Sequence, residues 1–208
     1  MSAEQHASVR NQECYAAGVL PYTVTPAGKV LVLLGAQKGY PGPSGVRRTR
    51  WSDFGGKSEP CDVDCAATAG REFAEETLGL FHSPSVDESS VADSARVMSQ
   101  HLRDAESSGC PRVLKVNSPG RNGCYSMYLA HVAFIEPLMF KLATEENSRT
   151  LAVAGAEKRA FAWVSGVQLM RATRRTIAAR QVAYSAAASP NGNVTGRRTW
   201  QEGSRRVG

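Results

Sequence analysis

The segment DCAATAGREFAEETLGL, residues 64 to 80, constrains the fold more than any other stretch of the chain. Successive residues of an α-helix advance by about 100°, so Glu72, Glu75 and Glu76 fall within an arc of about 100° on one face. Ala66, Ala67, Gly70, Phe73, Ala74, Thr77 and Leu78 cover the opposite side. Such a helix buries its small and apolar face in a core and presents its carboxylates to a cleft. The small residues at 66, 67, 69 and 70 permit close packing against a neighbour. Helical composition runs from 64 to 78, with Leu78 extending the helix beyond the glutamates and Gly79 able to end it in the left-handed conformation.

The three carboxylates need an explanation in a chain whose formal charge is +6. Like charges at i, i+4 weaken a helix by about 0.2–0.5 kcal/mol, and a third adds nothing structural. Bound cations offset that repulsion, and clustered carboxylate oxygens suit hard Mg²⁺ or Mn²⁺, which keep waters and are often completed by substrate phosphates. A site of this kind polarises a phosphoryl oxygen, activates a water and neutralises a leaving phosphate. Spacing alone leaves a second reading open, a solvated acidic face in which Arg71 pairs Glu75 at i, i+4.

Around this helix the pattern alternates strands and turns. YAAGVLPYTV and KVLVLLGAQ flank TPAGK and read as a β-hairpin. KGYPGPSGVRRTR reads as a loop, and WSDFGGK as a short strand ending at Gly55 and Gly56. Val91, Ala95, Met98 and Leu102 recur at helical spacing in an inserted amphipathic helix over about 90–106, with Ser90 and Asp93 as its capping box. RVLKVNS and CYSMYLAHVAFI flank PGRNG in a second hairpin, and RAFAWV reads as a strand. A last helix is expected from Ser165, with Val167, Met170, Ile177 and Tyr184 toward the core. The expected organisation is a flexible N-terminus over 1–12, one domain over 13–188 and a disordered basic tail over 189–208.

At 208 residues and 42% hydrophobic content the chain suits one soluble domain with extra segments. Its apolar runs are broken well before the roughly 18 to 20 residues a membrane span needs, so no membrane partner is expected. The first ten residues lack an apolar signal-peptide core, and five sparse cysteines make no stapled scaffold. Ordinary thiols in a reducing, intracellular compartment are expected, the cytoplasm first and the nucleus or mitochondrion compatible. Cys61 and Cys65 lack a second Cys/His pair at zinc spacing, and the four histidines form no ligand pattern.

GGKSEPCDVDCAATAGREFAEETLGL, residues 55 to 80, resembles the Nudix box of the Nudix hydrolase superfamily. Gly56, Arg71, Glu72, Phe73, Glu75, Glu76, Gly79 and Leu80 match that pattern by type. Asp62 stands where the family has an upstream glutamate, eight residues rather than seven separate it from Arg71, and one extra residue precedes Gly79. The resemblance implies an α/β/α sandwich around a mixed sheet. It further implies that Glu72, Glu75 and Glu76 hold Mg²⁺ or Mn²⁺, that Arg71 orients the glutamates, and that Gly55 and Gly56 bring backbone close to the metal. The implied reaction is attack of a metal-activated water on a diphosphate linked to a further group X. Glu76 is the first choice of general base and Glu157 the alternative.

Lys57, Arg50 and Trp51 lie beside the glycine pair and are the candidate substrate contacts, joining positive charge to a ring that can stack. They suit a nucleoside diphosphate derivative or a capped or triphosphorylated RNA 5′ end, and equally a diphosphoinositol polyphosphate. Trp51 in the core beside a solvated basic loop is the structural alternative. Arginines of the last helix and tail add weight to a nucleic-acid partner. The rival reading from another class is a non-catalytic Nudix module that binds RNA or a protein partner. The oligomeric state is left open.

Overall fold

The computed structural model describes residues 14–41, 45, 47–109, 113–120, 123–150, 152–154 and 156–173. Strands β1 (Cys14–Val24) and β2 (Val30–Pro41) form the expected hairpin, with Tyr22 opposite Val32 and Val24 opposite Val30. The Gly28 N–H donates to Thr25 O at 2.8 Å and closes the turn. WSDFGGK is not one strand. Asp53 separates β3 (Arg47–Ser52), which pairs with β2, from β4 (Phe54–Lys57), which pairs with β1. Much of the expected loop is therefore sheet, because Gly35 to Lys38 ladder against Thr49 to Ser52 despite turn-like composition.

Strands β5 (Val113–Gly120) and β6 (Gly123–His131) make the second hairpin, and β6 runs parallel to β1 from Cys14 opposite Cys124 to Tyr22 opposite His131. With β7 (Ala160–Ser165) antiparallel to β2, the order is β3-β2-β1-β6-β5, β4 and β7 lying off that path on β1 and β2. The sheet is mixed and the class is α/β, as expected.

Helix α1 (Cys65–Glu76) begins at Asp64, whose carboxylate accepts the Ala67 N–H at 2.7 Å. Its buried Ala66, Ala69 and Phe73 join Ala17 and Val19 of β1, Phe54 and Tyr128 in one core. A chain of rings continues that core, with Phe73 stacked on Phe81 and Phe140 stacked on Phe161 at 4.5 Å. A Cβ on Gly70 would strike Ser99 and the Ala95 carbonyl, so α1 and helix α2 (Glu88–Ser108) cross almost backbone to backbone.

Several expectations need correction. The helix does not extend through Leu78: it ends at Glu76, and Leu78 (φ 58°) and Gly79 (φ 70°) both turn left-handed. The Gly79 N–H donates to Ala74 O at 2.9 Å and the Leu78 N–H to Glu75 O at 3.3 Å, the Schellman pattern. Leu78 therefore takes the cap position that glycine usually fills, and its side chain is buried with Ala74, Val91, Ala143 and Val153. The inserted helix starts earlier than 90, since Asp87 rather than Ser90 caps it and accepts the Ser90 N–H at 2.8 Å.

Residues 137–150, whose Glu145 and Glu146 read as loop, form helix α3 (Pro137–Thr150), with proline at its first position and Phe140 and Ala143 buried. Cys14 and Cys65 are not ordinary thiols but a disulfide, joining the start of β1 to the first residue of α1. Cys61 and Cys124 are free.

The helix expected from Ser165 starts at 166, but Val167 and Met170 are exposed rather than core-facing. Ile177, Tyr184, the N-terminus over 1–12, the domain end at 188 and the basic tail lie outside the described residues. These residues form one compact unit to Leu169, while 170–173 belong to a second. Among them, no helix is long and apolar enough to cross a membrane.

Candidate active site

The site begins with the loop that leads from β4 into α1. Asp62 folds back so that its carboxylate accepts the Glu59 N–H at 2.9 Å and takes Arg71 in a two-pronged pair, Nε at 3.2 Å and Nη2 at 3.0 Å. A side chain one methylene shorter than glutamate therefore reaches Arg71. Burial would raise the Asp62 carboxyl, but the hydrogen bonds from Arg71 and the Glu59 amide outweigh it and hold the group below its ordinary value.

Arg71 is the hub. Its Nη1 lies 3.0 Å from Glu72 Oε1, 3.3 Å from Glu75 Oε2 and 3.8 Å from Glu59 Oε1, while Nη2 also donates to Lys57 O at 3.0 Å. Burial acts to lower its affinity for a proton, but the bonds to Asp62 and the charges of Glu72 and Glu75 raise it well above the ordinary arginine value. The helix face and Arg71 come together as the spacing anticipates.

Strand β4 lies across the same face. Glu76 Oε2 accepts the Gly55 N–H at 3.0 Å, and a Cβ on Gly56 would run into the Glu72 carboxylate. The paired glycines thus bring bare backbone against two of the three glutamates. Beneath them the Tyr125 hydroxyl donates to Asp53 Oδ2 at 2.6 Å, and burial followed by the Asp53 charge raises that phenol above its ordinary value.

One group was missed by reading the sequence. Lys158 is buried, and its Nζ lies 3.2 Å from Glu76 Oε1 and donates to Ser52 Oγ at 2.8 Å and Gln37 Oε1 at 3.1 Å. No local signal marks it, since its partners come from β2, β3 and α1. Glu157, one residue earlier, is exposed, and it is Lys158 rather than Glu157 that meets Glu76. Arg50 and Trp51 are exposed on β3, so Trp51 is not a core residue. Lys57 is exposed with its Nζ 6.0 Å from the Tyr15 ring.

Burial raises Glu72 and Glu75, with Arg71 opposing, and pushes Glu76 up to about 7 against the opposing pull of Lys158. Around this face, among the described residues, Glu59, Asp62, Glu72, Glu75 and Glu76 pair only with Arg71 and Lys158. Hard oxygen donors carrying surplus negative charge fit a hard divalent cation. Among the described residues, however, no three such side chains stand ready as a cage, and Arg71 and Lys158 occupy the glutamates in ion pairs.

No family model matches the chain, and no curated protein matches it. Solved structures of similar arrangement include an Ap4A hydrolase of C. elegans, at 17% identity and TM-score 0.38 over 83% of this chain and 97% of that one. The chain is also similar to the Nudix hydrolase RenU of M. smegmatis, at 15% identity and TM-score 0.34 over 76% and 74% of the two chains. A third is a Nudix hydrolase of Alicyclobacillus acidocaldarius, at 15% identity and TM-score 0.41 over 79% and 85%. These three scores all lie below 0.5, and the chemistry of the site rests on this chain's own residues.

Proposed function

We propose that the protein is a hydrolase of the Nudix kind, dependent on Mg²⁺ or Mn²⁺, that cleaves a diphosphate linkage in a nucleoside diphosphate derivative or at a capped or triphosphorylated RNA end. The observation that carries this reading is the meeting of Glu72 and Glu76 with Gly56 and Gly55 while Arg71 holds Glu72 and Glu75. That arrangement is costly for a merely solvated acidic face. It suits an anionic ligand brought in with a cation.

In this reading Glu72 and Glu75, whose side chains keep 17% and 28% exposure, are the principal cation ligands, with Glu76 the third. The bound cation would supply Lewis-acid polarisation of the phosphoryl oxygen and of the attacking water. Arg71 fixes the direction of both carboxylates, and its bonds to Asp62 and Lys57 O fix Arg71 in turn. Glu76, whose two oxygens meet Lys158 and the Gly55 N–H, serves as general base, taking one proton from water as the water oxygen bonds to phosphorus and the anhydride P–O bond breaks. Exposed Glu157 is the alternative base. Arg50, Trp51 and Lys57, open to solvent beside the glycines, would meet the phosphates and the nucleoside.

The test is hydrolysis of NDP-sugars, dinucleoside polyphosphates, NADH, ADP-ribose, inositol pyrophosphates and capped RNA with Mg²⁺ or Mn²⁺, by wild type and Glu75→Gln. Metal-dependent turnover that drops by orders of magnitude in the variant is expected. Absence of turnover on every substrate, with salt-sensitive RNA binding that survives Glu75→Gln, would replace the enzyme by a binding module.

A further inference from the structure

A cavity of about 590 Å³ opens beside α1, and most of its lining has no part in the chemistry above. Val91, Ala92 and Ala95 of α2 line it together with Ala152, Val153 and Ala154, which precede β7. Val91 and Val153 are buried in the same cluster as Ala74 and Leu78, so this lining is anchored to the core. Arg71, Glu75 and Glu88 complete it.

The chemistry of this lining is restrictive. The described residues that line it include no aromatic ring on which a base could stack, and no hydroxyl or amide side chain to bond a base edge or a sugar. Arg71 is already engaged by Asp62, Glu72 and Glu75. Against Val91, Ala92, Ala95, Ala152, Val153 and Ala154 a nucleobase or polyol would lose water and regain hydrogen bonds only where it reaches the Glu75 and Glu88 carboxylates, whereas a hydrocarbon would lose none. The position is equally telling, because the cavity shares Arg71 and Glu75 with the acidic cluster.

We propose that this cavity is the subsite for an uncharged aliphatic substituent, so that group X of the diphosphate is an alkyl or prenyl chain rather than a sugar or a second nucleoside. The proposal rests on the diphosphatase reading, since a diphosphate held at Glu72 and Glu75 delivers its substituent to the cavity they adjoin. Side-chain size on α2 then sets specificity, and Ala92, which is exposed and outside the catalytic cluster, is the position to change.

The experiment is calorimetric binding of a linear series of non-hydrolysable alkyl methylenebisphosphonates, ethyl to octyl, to the full chain with Mg²⁺. Affinity should rise by up to about fourfold per buried methylene until the cavity is full. Ala92→Phe should flatten that rise and leave the parent methylenebisphosphonate bound as in wild type. A flat series in wild type, no binding at all, or a slope that Ala92→Phe leaves intact overturns the proposal. Turnover of sugar or dinucleotide substrates with a flat series defeats this inference alone. A steep series that Ala92→Phe flattens supports the apolar subsite, and a protein showing it that hydrolyses no diphosphate defeats the diphosphatase reading instead.

Discussion

Lys158 Nζ stands 3.2 Å from Glu76 Oε1, with the two side chains only 2% and 5% exposed. The pair ties the end of α1 to the approach to β7, and Gly55 N–H takes the other Glu76 oxygen. Removing one partner from a buried ion pair strands the other charge. Lys158→Met should therefore lower stability by about 3–5 kcal/mol. The double variant Lys158→Met with Glu76→Gln should recover much of that loss, and urea denaturation of the four proteins gives the coupling directly.

The same carboxyl predicts an unusual pH dependence. Glu76 is raised in the folded protein from an ordinary 4.5 to about 7, so between those values the folded state keeps a proton that the unfolded chain has released. Stability in chelator should therefore rise as pH falls from 7 toward 5, and Glu76→Gln should reduce that rise, leaving the part that Glu72 and Glu75 contribute in the same direction. Asp62 and Asp64 act in the opposite direction, being held below an ordinary 3.8. Their contribution is present above that value and is lost as pH falls through their folded values, so stability should decline again below about pH 4. Denaturant midpoints measured across pH 3 to 8, each pH stepped by about one unit, check both limbs.

Leu78 supplies a test in which two effects oppose. A left-handed leucine costs roughly 1–2 kcal/mol, which Leu78→Gly would relieve. Truncating a buried leucine costs about 2–5 kcal/mol. Burial should win, and Leu78→Gly should be less stable than wild type in thermal denaturation. A gain in stability would show that the side chain contributes little where it lies. Gly79→Ala should also destabilise, because a Cβ there meets left-handed backbone and lies 3.3 Å from Ser90 O.

Cys14 and Cys65 close a loop with a sequence separation of 51. Chain-entropy reasoning gives such a cross-link about 4 kcal/mol. Cys14→Ser with Cys65→Ser, or treatment with a thiol reductant, should lower the melting temperature by similar amounts. Reductant should leave the double variant unchanged.

What could be read in the chain and what could not divide along sequence distance. The glutamates of α1 and Arg71 lie within one and a half helical turns, so spacing alone put them on one face. The two hairpins announced themselves through TPAGK and PGRNG. Lys158 could not be found this way, because its partner Gln37 is 121 positions away and a lysine beside Glu157 carries no mark of burial. The disulfide was hidden for the same reason, as adjacency in space across β1 and α1 leaves no trace in cysteine count. Helix α3 was hidden by its composition: Thr, Asn and Ser in TEENSRT suggest a loop, and only the packing of Phe140 on Phe161 reveals why it is helical.

Arg103 reaches from α2 to the Asp64 carboxylate with Nε at 2.8 Å, and that carboxylate is the one that caps α1. The inserted helix thus grips the acidic helix at its first turn, while the crossing at Gly70 leaves little room for one to slide past the other. The two would travel as one lever, so whatever leans on α2 from outside would be felt at the glutamates without touching them.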